Sequence, residues 1–218
     1  MGGGALLDPA SALENYLLEC AEVSRPRVCF LATAVGDSAE RVELFYEDFG
    51  GRACEPTHVA LFGVPEQPSE AVAASDVVYV NGGNTANMLV LWRLHGVDAA
   101  LREVWERGGV LAGWSAGAIC WFEDAPTDSF GPQLRRLADG LGFLSGSFCP
   151  HYDGEPERRP AYTRFVADGM PAGYAADDDC GLLFEGRELH EVVAQRDGAR
   201  AYRVGPEGEQ ALEARLLR

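Results

Sequence analysis

The 218-residue sequence contains no lysine: all 18 basic residues are arginines, set against 34 acidic ones. That absence removes Schiff-base chemistry, a Walker-type phosphate loop and a Ser–Lys dyad, each of which needs an ε-amino group. The formal charge of −16 argues against nucleic acid and anionic membranes as partners, because such a field repels phosphate. Cysteine occurs at Cys20, Cys29, Cys54, Cys120, Cys149 and Cys180, never as C-x-x-C. Zinc-ribbon and thioredoxin-like readings therefore lack their spacing. No metal-ligand cluster is apparent. No apolar run approaches the roughly 20 residues that span a bilayer, and no basic start precedes an apolar stretch as in a secretory leader. A reducing cytoplasm is the expected home, with thiols such as Cys29 in Val28-Cys29-Phe30 acting as small buried hydrophobes.

What is present is a pattern of short apolar runs alternating with amphipathic stretches. Residues 27–34, 57–63, 76–81 and 109–114 read as buried strands, whereas 11–23, 38–49 and 87–107 carry apolar residues at helical spacing. The alternation predicts an α/β fold, a mostly parallel sheet flanked by helices. Residues 181–186, 189–195 and 200–204 are closely spaced strands with little room for helices, which predicts a short antiparallel C-terminal hairpin or meander. No linker or repeat interrupts the chain, so residues 1–218 read as one domain. The start, Met1-Gly2-Gly3-Gly4, reads either as a loose terminus or as the turn after a first strand that has been lost.

The strongest local signal is Gly113-Trp114-Ser115-Ala116-Gly117, a G-x-S-x-G that follows an apolar strand. Small flanking residues allow a sharp strand-to-helix turn that exposes the serine at its tip. The amide of Ala116 then points to where an oxyanion would form. A second glycine loop, Asn81-Gly82-Gly83-Asn84-Thr85, also follows a strand. It can supply a second oxyanion donor from Gly83, form a plain turn, or bind phosphate. A serine needs a base. His58 and His190 lie within strands and His95 sits at a helix end, but His151 enters a loop directly after a strand, where parallel sheets bind ligands. Asp128, Asp178, Glu123, Asp124, Asp153, Asp177 and Asp179 compete as the acid that orients the imidazole, and spacing does not choose among them.

Taken together, FLATA at Phe30–Ala34, NGGNT at Asn81–Thr85, GWSAGA at Gly113–Ala118 and CPHYD at Cys149–Asp153 resemble the peptidase E family of serine peptidases. These are aspartyl dipeptidases related to cyanophycinases. The resemblance covers nearly the whole chain. It implies a class I glutamine-amidotransferase-like three-layer sandwich and a Ser–His–acid hydrolase without cofactor, with Ser115 as nucleophile and His151 as base. Asp128 is the nearest match to the family's acid, and Asp178 matches an acidic position before the late strands. Gly83 and Ala116 would form the oxyanion hole. The family's preference for an N-terminal aspartate calls for a guanidinium, for which Arg158 and Arg159 are candidates, with Asn84 a further substrate contact. Asp-X dipeptides are the first substrate expected, β-linked Asp-Arg the second, and an inactive binding scaffold the third reading. A homodimer is also implied. An α/β-hydrolase esterase would share G-x-S-x-G, but it places its histidine close to the C-terminus, whereas a long, mostly strand-like stretch follows His151 here.

Overall fold

Alternating apolar and amphipathic segments resolve into strands and helices close to where the pattern puts them, except that the buried strand expected over 57–63 is Glu55–Val59, mostly exposed at a sheet edge. The computed structural model describes residues 1–5 and 7–218. They form two compact units, one running to Gly117 and the other joining Met1–Ala5 to Ala118–Arg218.

The first unit contains α1 (Ala12–Glu19), β1 (Arg27–Leu31), α2 (Ala39–Phe49), β2 (Glu55–Val59), α3 (Pro68–Ala73), β3 (Val77–Val80), α4 (Thr85–Leu94), α5 (Val97–Glu106) and β4 (Val110–Gly113). The four strands form a wholly parallel sheet in the order β2-β1-β3-β4. Val28–Leu31 and all of β3 are buried, as continuous apolar runs must be when helices cover both faces. The stretch expected as one helix over 87–107 is two helices. Gly96 takes a left-handed φ of 69° after His95, ending α4 where only glycine turns without strain.

A buried polar cluster fastens α1. Glu14 is fully buried and accepts hydrogen bonds from the Leu7 N–H and the Tyr79 hydroxyl, both at 2.7 Å. Arg52 bridges Glu14 at 3.3 Å and Asp48 at 2.8 Å. Burial and the adjacent Asp48 carboxyl push the Glu14 carboxyl up to about 7. A carboxyl raised in the folded state stabilises the protein at low pH, and this contribution is lost as pH rises from about 4.5 to about 7. Glu14→Gln should therefore flatten the fall in Tm across that window, and an unchanged slope in thermal melts would refute the assignment.

Short α6 (Ala116–Ile119) follows the serine. The second unit then adds β5 (Phe122–Thr127), β6 (Arg135–Leu137), β7 (Leu144–Cys149), α7 (Arg158–Ala167), β8 (Gly173–Ala176), β9 (Cys180–Glu185), β10 (Glu188–Ala194), β11 (Ala201–Gly205), β12 (Gly208–Leu212) and β13 (Arg215–Leu216). Its larger sheet runs β12-β11-β8-β7-β5-β6, with β5, β7 and β8 parallel and the outer strands antiparallel. The expected C-terminal hairpin is β9–β10, joined in a smaller sheet by β13. Helix α7 carries both candidate arginines, Arg158 and Arg159, in its first turn. Its buried side is Arg158, Ala161, Tyr162 and Val166, so an arginine and a tyrosine stand where periodicity looks for aliphatics. Tyr162 pins it to β7 through a 2.7 Å hydroxyl contact with Ser147.

All six cysteines are free and five are buried. Among the described residues no helix is long and apolar enough to cross a membrane.

Candidate active site

Ser115 sits where strand β4 turns into α6, with a φ of 53° in the left-handed region that non-glycine residues rarely adopt. Strain of this kind, of the order of 1–3 kcal/mol, persists when surrounding packing imposes it. Here the packing is backbone on backbone. A Cβ on Gly113 would come within 2.7 Å of Val80 O, and one on Gly117 within 2.8 Å of Val80 C. Both glycines of the motif are thus fixed by close approach to β3. The second glycine loop lies against the same turn: a Cβ on Gly82 would stand 3.1 Å from Ser115 Cβ and 3.0 Å from Trp114 Nε1. Gly83 has a φ of 134° and packs on Ala34 and Val35. Asn84 caps α4, its side chain accepting the Asn87 N–H at 2.9 Å, so that oxygen already serves the helix. Ala116 is buried at the first turn of α6.

His151 follows β7 and also has a left-handed φ of 53°. Its Nδ1 lies 2.7 Å from Asp178 Oδ1. A carboxylate only accepts, so Nδ1 carries the proton and Nε2 is left as the basic nitrogen. The pairing comes from sheet topology. β7 and β8 are adjacent and parallel, with Cys149 opposite Ala175, and the two residues leave neighbouring strands at the same end. The Tyr152 N–H donates to Ala176 O at 3.0 Å, a distance typical of a ladder bond, and holds the two exits together. Asp177 exchanges two bonds with the Arg200 backbone, 2.9 Å from its N–H and 3.0 Å to its Oδ2. Burial raises the Asp177 carboxyl. Burial also pushes Asp179 upward, but hydrogen bonds from Gln195, Ala5 and Arg196 outweigh it and hold that carboxyl below its usual range.

The amino-terminal glycines pack on this pair. Gly2 and Gly3 are buried, the Gly2 N–H donates to Cys180 O and Gly3 O accepts the Asp179 N–H, both at 2.9 Å. A Cβ on Gly3 would overlap the His151 ring and stand 2.5 Å from Asp178 Oδ1. The sequence drew attention to this run but read it as a terminus or a turn. Its role against the imidazole carried no local signal.

The other candidates are placed elsewhere. Asp128 is exposed just beyond β5, its carbonyl accepting the Gly131 N–H at 3.0 Å. Among the described residues no ion pair joins it to His151. Glu123 accepts the Gly146 N–H at 2.9 Å, and Asp124 is buried against Arg136 at 2.5 Å. His58 is exposed and pairs with the Tyr46 hydroxyl at 2.9 Å. His95 caps α4, and His190 lies 3.5 Å from Glu185. Both arginines proposed for substrate recognition already have carboxylate partners. Arg158 is buried and donates to Glu155 at 2.7 Å. Arg159 pairs with Glu209 and lies over the rings of Tyr152 and Tyr202, 5.2 and 5.1 Å from their centroids. No group of three or more metal-ligating side chains occurs among the described residues.

An α/β scaffold with a strained serine on a glycine-flanked elbow and a carboxylate-bound histidine defines a hydrolase-like class of protein. The model of peptidase family S51 matches residues 1–192. The chain belongs to that family, and the family makes it a peptidase. It is 50% identical over 206 residues to the uncharacterized peptidase YgaJ of Bacillus subtilis, covering 93% of this chain and 89% of that one. It is 40% identical over 142 residues to peptidase E of Shewanella denitrificans, covering 61% of this chain and 60% of that protein. Among solved structures, a peptidase from an acI-B1 Actinobacterium shares the fold with a TM-score of 0.75 at 22% identity, covering 97% of this chain and 92% of that one. A putative peptidase E from Listeria monocytogenes EGD-e matches with a TM-score of 0.64 at 20% identity, over 84% and 93% of the two chains.

Proposed function

We propose that the protein is a serine-type exopeptidase acting on short peptides, with Ser115 as nucleophile, His151 as general base and Asp178 as the acid that orients the imidazole. The observation that carries this reading is the 2.7 Å contact between His151 Nδ1 and Asp178 Oδ1, which leaves Nε2 as the nitrogen for proton transfer. His151 takes the Ser115 proton as Oγ attacks the scissile carbonyl. The amides of Gly83 and Ala116 stabilise the oxyanion, each contributing about 3 kcal/mol. The imidazolium then protonates the leaving amine, and a water activated by His151 releases the acyl group. The match of the family model from residue 1 to 192 supports reading the chain as one peptidase domain.

Asp-X dipeptides are the proposed substrate. In support, Arg159 already holds a carboxylate, that of Glu209, so a substrate aspartate entering there exchanges one carboxylate for another. The charge of −16 favours a second reading in which the substrate carries a cation, as β-linked Asp-Arg does. Hydrolysis of Asp-X, Leu-X and β-Asp-Arg dipeptides separates the two. Arg159→Met is expected to abolish the preference for Asp-X over Leu-X, and unchanged selectivity would remove Arg159 from the specificity site. Turnover confined to β-Asp-Arg would move the substrate to the second reading.

A further inference from the structure

The orientation of Asp178 depends on a clamp that lies away from the imidazole. Arg196, in the turn after β10, donates from Nη2 to Asp153 Oδ2 at 2.6 Å and to the Asp178 carbonyl at 2.9 Å. Its Nε donates to Asp179 Oδ2 at 3.1 Å. Asp153 completes the grip, its Oδ1 accepting the Asp178 N–H at 2.8 Å. The peptide groups on both sides of the Asp178 Cα are therefore tied to a single guanidinium–carboxylate pair. Asp179 is held further by Gln195 Nε2 at 2.9 Å and the Ala5 N–H at 3.0 Å, and it takes a left-handed φ of 65°.

Two features show why the turn needs such a clamp. Asp153, Asp178 and Asp179 gather three acidic residues around one turn, and like charges held close repel. Arg196 is the cation seated among them. The Asp178 carboxylate is also walled by backbone on two sides, since a Cβ on Gly3 would stand 2.5 Å from Oδ1 and one on Gly154 would overlap Oδ2. With its side-chain rotation so confined, the aim of the carboxylate is set by where its peptide is held.

We propose that Arg196 is a positioning residue: through its bond to the Asp178 carbonyl and through Asp153, it fixes the Asp178 carboxylate on His151 Nδ1. It touches no reacting atom and acts only through Asp178. The proposal rests on the catalytic reading of His151 given above. A fork of two donors on one planar group suits this task, and an ammonium replaces it incompletely.

The test compares wild type, Arg196→Met, Arg196→Lys and Asp153→Asn. One readout is the low-field proton resonance of the His151 Nδ1–H, assigned by its loss in His151→Gln. The other is kcat and KM on the peptide that wild type hydrolyses best. Arg196→Met is expected to broaden or abolish the resonance and to lower kcat about 100-fold, as misplacement by about 1 Å can do, with KM little changed. Arg196→Lys should recover part of both losses. If Arg196→Met does not fold, Asp153→Asn carries the test, because it keeps an acceptor for the Asp178 N–H and loses the charge that holds Arg196. A folded Arg196→Met protein, or failing that Asp153→Asn, with the wild-type resonance and kcat would overturn the proposal. Should wild type hydrolyse no peptide, the peptidase reading fails and the resonance alone decides: its loss supports the clamp, its persistence refutes it.

Discussion

Replacing Ser115 by Ala is expected to lower kcat for peptide hydrolysis by about a million-fold. The change removes the atom proposed to form the acyl-enzyme, and the rate expected to remain comes from oxyanion donors and substrate binding. The left-handed backbone at residue 115 is imposed by Gly113 and Gly117 packed on β3, so alanine inherits the same turn. Its Tm should stay close to that of wild type. A fluorophosphonate probe should label wild type at Ser115 and leave the variant unlabelled. Near-normal turnover in the variant would remove Ser115 from the mechanism. A folded wild type that neither turns over any peptide nor takes the label would identify an inactive scaffold.

The second large effect concerns the acid. Asp178→Asn should lower kcat by about four orders of magnitude, because an amide can donate to Nδ1 and stabilise the wrong imidazole tautomer. Asp128→Asn should leave kcat near the wild-type value. Asp178 contacts the imidazole, whereas Asp128 stands exposed on its own turn. The two variants assayed side by side give a ratio that no general loss of stability reproduces. A large loss in Asp128→Asn with none in Asp178→Asn would return the acid to the position after the serine.

Legibility in the sequence followed the range of the interactions. The elbow was readable because its parts are contiguous: an apolar strand, two small-residue positions and the serine lie within Gly109–Gly117. The parallel strands were readable because burial on both faces writes unbroken apolar runs, as in Val77–Val80. Helix α7 was not, since its buried side mixes Arg158 and Tyr162 with Ala161 and Val166 and breaks the periodic signal. The two candidate arginines lie in the first turn of that helix, each with a glutamate partner that lies three residues or fifty residues away.

By itself the sequence determined an α/β chain with a serine elbow, a histidine after a strand, and the motifs of its family. It left the acid open among seven carboxyls and the glycine run without a task. Only the tertiary structure decided which of these carboxyls meets His151 and what the glycine run packs against. His151 and Asp178 are 27 residues apart and meet because β7 and β8 lie side by side in parallel register. Gly3 reaches the same pair from the far end of the chain, where backbone alone fits against the ring. Strand pairing and steric exclusion act between residues that are distant in sequence, and no local pattern of residue types encodes which distant partner will be adjacent.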